Sequence, residues 1–146
     1  MIRLQSSAKL KVWTIITHWI ILIGFGHGIL ALGVIDILWF PYFTKPGFTF
    51  LPAADIEHKL PMVGLLGILG TIILGYSIKT TNEKRKIISH VAGLALLWLC
   101  IFYFVYKLEL DSYTHFATLT AFPFLFCTLY AFLGGLIKPK KDAGID

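Results

Sequence analysis

Residues 12–35 read VWTIITHWIILIGFGHGILALGVI, and the fold turns on this run. It holds no Asp, Glu, Lys or Arg, and its ionisable side chains are His18 and His27. A helix needs roughly 17–25 apolar residues to cross a bilayer, and the run is that long. Arg3, Lys9 and Lys11 precede it, as basic residues precede a signal peptide. A signal core spans only ~7–15 residues, so the run reads as a retained transmembrane helix.

Three more stretches have the same character: residues 60–78, 87–106 and 113–137. Across the 146 residues, 57% are hydrophobic and 14% charged, against a usual ~45–50% and ~25%. Mean hydropathy is +0.78. Amphipathic helices would each carry a polar stripe; these runs are apolar all round. The implied fold is all-α and polytopic. It is a single domain, residues 1–146, of four transmembrane helices in up-down order. Lys79, Lys84, Arg85 and Lys86 lie between the second and third runs, and Lys138, Lys140 and Lys141 follow the fourth. The positive-inside rule then puts both termini in the cytoplasm of a multi-pass inner-membrane protein. The net charge of +5 is a topology signal on this reading, with no nucleic acid as partner.

The connection 36–59 is rich in rings: Trp39, Phe40, Tyr42, Phe43, Phe48 and Phe50. Such density suits a membrane interface or a surface for docking a lipid or partner. Small residues mark helix packing. Gly67, Thr71 and Gly75 recur every four residues, and Gly24, Gly28 and Ala31 share one face of the first run if it is helical. Pairing of these two stripes is expected.

The spans themselves hold no carboxylate, which argues against proton-coupled antiport and against a nucleophilic triad. Cys100 and Cys127 form no CxxC and no metal-ligand spacing, so they read as buried, unreactive thiols. The histidines offer two pairs at matched depth, His18 with His90 and His27 with His115. Bis-histidine haem b needs such pairs. Nine positions at about 100° each, however, put His18 and His27 on opposite sides of a helix. The sequence therefore points first to a non-catalytic, cofactor-free integral subunit of a larger membrane complex. Its partners would be the bilayer, other membrane subunits or further copies of itself. The alternatives are a subunit for electron transfer through haem b or quinone, and a lipid-phase binder of small molecules.

Overall fold

Gly24, Gly26, Gly28 and Gly33 crowd one part of the opening run. Each costs a helix interior roughly 1 kcal/mol relative to Ala. In a computed structural model, which describes residues 7–25, 28–44, 56–106 and 112–136, the run is not one helix. Helix α1 covers Ala8–Trp19 and is started by Ser7, whose Oγ accepts the Leu10 N–H at 3.3 Å. The chain then folds back as an antiparallel hairpin, β1 (Leu22–Phe25) with β2 (Gly28–Ala31). Leu22 stands opposite Ala31, and Gly24 opposite Ile29. Helix α2 (Leu32–Trp39) follows at once and ends in a 3-10 turn, Phe40–Thr44. Beyond it lie α3 (Ile56–Lys79), α4 (Glu83–Val105) and α5 (Ser112–Leu136). Asn82 caps α4 by accepting the Arg85 N–H, and α5 runs through Pro123.

The antiparallel pair α3–α4 is the most extensive contact. It closes tightly where glycine replaces a side chain. A Cβ at Gly93 would meet the Leu74 backbone at 2.7–2.9 Å, and one at Gly70 would meet Leu97 at 2.7–3.1 Å. Helix α2 crosses α3 at Gly64 and Gly67, where its own backbone and Asp36 fill the missing volume. Helix α1 and strand β1 rest on α5. The Leu22 N–H donates to Thr120 Oγ1 at 2.9 Å, which ties the hairpin to α5. Leu60, Val63, Leu74, Leu97 and Phe124 are fully buried at the centre. Two lysines are buried by their partners. Lys11 Nζ donates to the Ser77 carbonyl and Oγ, and Lys59 Nζ donates to the Tyr106 carbonyl at the end of α4. The outward faces stay apolar, with Ile72, Ile88, Phe102, Leu119, Phe126 and Tyr130 exposed.

This architecture corrects the expected one. The described residues form a five-helix bundle with a hairpin inserted, and among them four full-length transmembrane helices are not present. The first run gives helices of 12 and 8 residues, about 18 Å and 12 Å long, against the ~30 Å of a bilayer core. Among the described residues, only His58–Lys79 and Glu83–Val105 are long and apolar enough to cross a membrane. Those two helices pack against each other along one face, and length and composition alone do not place a helix in a membrane. The described apolar part of α5, Ala117–Phe132, is shorter. The inner-membrane location, the bilayer and membrane-subunit partners, and the accessory-subunit function all rested on four spans. They fall with those spans, as does the lipid-phase binder.

Candidate metal centre

The hairpin returns the chain to α1. As a result Asp36, midway along α2, meets His18 in the last turn of α1. His18 Nε2 lies 3.4 Å from Asp36 Oδ2, with both side chains wholly enclosed. Cys100, on α4, is also fully buried and completes a cluster. One donor atom from each of the three residues lies within 4.8 Å of the others. Gly67 supplies the socket: a Cβ there would overlap the Asp36 carboxyl group. Phe124 closes the other side, its ring centroid 5.4 Å from that of His18.

The cluster is polar but unsatisfied. His18 Nε2 and Asp36 Oδ2 face each other at 3.4 Å without forming a regular hydrogen bond, and His18 Nδ1 and Asp36 Oδ1 have no hydrogen-bond partner. Burying such groups without partners costs several kcal/mol in principle. Burial raises the Asp36 pKa above the ordinary carboxylate value, and His18 offsets this only in part. Burial, and then the nearby Asp36 charge, push the Cys100 thiol well above its ordinary range. The thiol donates to the Val63 carbonyl at 3.4 Å. A Cys–His–Asp arrangement suggests nucleophilic catalysis, but the nucleophile is a thiolate, which these surroundings suppress.

A cation reverses each of these terms. It pairs the carboxylate, favours the thiolate and takes an imidazole lone pair. The donor set N, O and S suits Zn2+ or a similar borderline ion. With ligand bonds of ~2.0–2.1 Å, two N/O donors of a tetrahedral ion stand about 3.4 Å apart, which is the His18–Asp36 separation. The 4.8 Å reach to the remaining atoms closes to that geometry by a movement of about 1 Å, on the order of a side-chain adjustment.

The chain matches no family model, no curated protein and no solved structure.

The residues singled out in the sequence are dispersed. His90 is buried on α4 and faces a separate cavity. His27 lies outside the described residues, and so does the side chain of His115 on α5. The haem and quinone reading fails with the membrane bundle it required. Asp36 and Phe124 already pack against His18, which among the described residues is the one proposed ligand that joins a cluster. Gly24, Gly28 and Ala31 lie in the hairpin. Gly67 is the Asp36 socket, Thr71 Oγ1 accepts from Trp19 Nε1 at 3.3 Å, and Gly75 faces open space. Trp39 ends α2, and Phe40, Tyr42 and Phe43 form the 3-10 turn, where the Phe40 and Phe43 rings lie 5.3 Å apart. Phe48 and Phe50 are outside the described residues. Sequence reasoning missed Asp36 and Cys100 as partners of His18. Asp36 was placed at the start of an external loop, although four nearby glycines signalled that the run need not stay helical.

Proposed function

We propose that this chain is a metal-binding helical domain whose centre is His18, Asp36 and Cys100, selective for Zn2+ or an ion of similar softness. The observation that carries this reading is the enclosure of three convergent donors, two of which have no other hydrogen-bond partner. The domain holds the ion, and no catalytic step is assigned to it. The three donors are enclosed rather than open to substrate, and burial disfavours the charged forms of Asp36 and Cys100, which a cation would favour. Metal uptake must therefore release protons, and affinity must rise with pH.

Titration of the purified chain with Co2+ tests this. The expected result is one ion per chain, with a thiolate-to-metal charge-transfer band in the near ultraviolet. Cys100→Ser removes that band, and Asp36→Asn weakens binding at least about tenfold. Failure to bind Co2+ or Zn2+ at alkaline pH, or an unchanged band in Cys100→Ser, would refute the proposal.

A further inference from the structure

A structural zinc-type ion takes four protein ligands, and the centre proposed above supplies three side chains. A further oxygen stands on the main chain of α3. The Val63 carbonyl oxygen lies 3.4 Å from Cys100 Sγ. Val63 is wholly enclosed, so no bulk water competes for this oxygen. A helical carbonyl gives one lone pair to the N–H four residues on and keeps a second. The residue four positions beyond Val63 is Gly67. Helical side chains lean back over the preceding turn, so a glycine there leaves the flank of the Val63 carbonyl bare. The Asp36 carboxyl group takes the place of the missing side chain. Gly67 thus admits the carboxyl group and uncovers a main-chain oxygen in the turn beside it.

The separations fit a single tetrahedron. Two of its ligands define one edge, and the other two define the opposite edge. His18 Nε2 and Asp36 Oδ2, 3.4 Å apart, match an N/O edge. An edge from thiolate sulfur to oxygen, with bonds of ~2.3 Å and ~2.1 Å, spans about 3.6 Å. The Cys100–Val63 separation of 3.4 Å is close to that. The convergence of the His18, Asp36 and Cys100 donors within 4.8 Å brings the two edges together. The thiol proton bridges the second edge as a hydrogen bond. Once that proton leaves, sulfur and oxygen are both acceptors, and a cation between them takes over its place.

We propose that the Val63 main-chain carbonyl is the fourth ligand of the His18–Asp36–Cys100 centre. The site is then closed and four-coordinate, with no position for water or substrate. This inference rests on the metal-binding reading and goes beyond it, because three protein ligands alone leave an open position of the kind found in catalytic sites.

Val63–Gly64 is the one Val-Gly step in the sequence. Full chain made with valine carrying 13C at the carbonyl and glycine carrying 15N therefore reports the Val63 carbonyl as a single NMR cross-peak. Zn2+ should move that carbonyl downfield, because its oxygen donates to the ion. An ion that merely displaces the thiol proton removes a hydrogen bond from the oxygen and moves the carbonyl upfield instead. The Co2+-loaded chain should show the strong visible bands of a tetrahedral ion, and azide should leave them unchanged. Bands that shift with azide overturn the fourth ligand and leave the three-donor centre standing. An upfield or unmoved carbonyl in protein that binds Zn2+ does the same. Protein that binds neither ion fails the metal-binding reading itself, and this inference with it.

Discussion

Gly67 is the residue on which the proposed centre depends most directly. The carboxyl group of Asp36 occupies the space that a side chain at position 67 would take. Gly67→Ala must expel the carboxylate or push α2 away from α3. Overpacking of this kind costs roughly 1–3 kcal/mol. The expected outcome is a lowered denaturation midpoint together with loss of the Co2+ charge-transfer band. An alanine variant with native stability and unchanged metal binding would show that the socket is not needed. Neither the socket nor the cluster was legible in the sequence. A glycine in a small-residue stripe reads as a place where another helix comes close, and here a single carboxylate comes closer still. Asp36 looked like the first polar residue after an apolar run. Its burial follows from a chain reversal that hydropathy does not register.

Among the elements, α3 and α4 coincide with the second and third apolar runs, because each keeps strong helix formers between its glycines. The hairpin was missed for the converse reason. Leu and Ile suit strand and helix alike, and the glycines that tilt the balance were read as packing residues. Glycine's two roles separate experimentally within the α3–α4 pair. Gly93 faces the Leu74 backbone, whereas nothing lies within 4 Å of a Cβ at Gly75. Gly93→Ala should therefore destabilise by about 1–3 kcal/mol. Gly75→Ala should stabilise by up to about 1 kcal/mol, through helix propensity alone. Thermal melts of the two variants should move in opposite directions. Equal shifts would mean that the two helices do not meet at Gly93.

For the whole molecule, the buried titrating groups set the response to acid. The pKa of His90 falls from 6.5 to about 4 on folding. Between those values the unfolded chain binds a proton that the native one refuses. This group's contribution is complete above pH 6.5 and is lost as pH falls towards 4. The slope is at most about 1.4 kcal/mol per pH unit for one proton. Asp36 acts in the opposite sense. Its raised pKa means that its share of stability is present at low pH and lost as pH rises through the folded value. Urea denaturation between pH 4 and 7 in an Asp36→Asn background isolates the His90 effect. Stability there should decline on acidification, and adding His90→Leu should flatten the profile. An equally steep profile in the double variant would place the acid sensitivity elsewhere. This behaviour too was hidden from the sequence. The sequence offered His90 only as a partner for His18 at matched depth, and it is the packing of α4 against its neighbours that buries it.

The proposed ligands stand at positions 18, 36 and 100, on three different helices. A ribosome delivers the first two early and the last only after most of α4 has been made. Until then His18 and Asp36 make an incomplete two-donor pair. An ion held by all three consequently reports that synthesis has passed most of α4, and a chain cut short before α4 lacks the third donor.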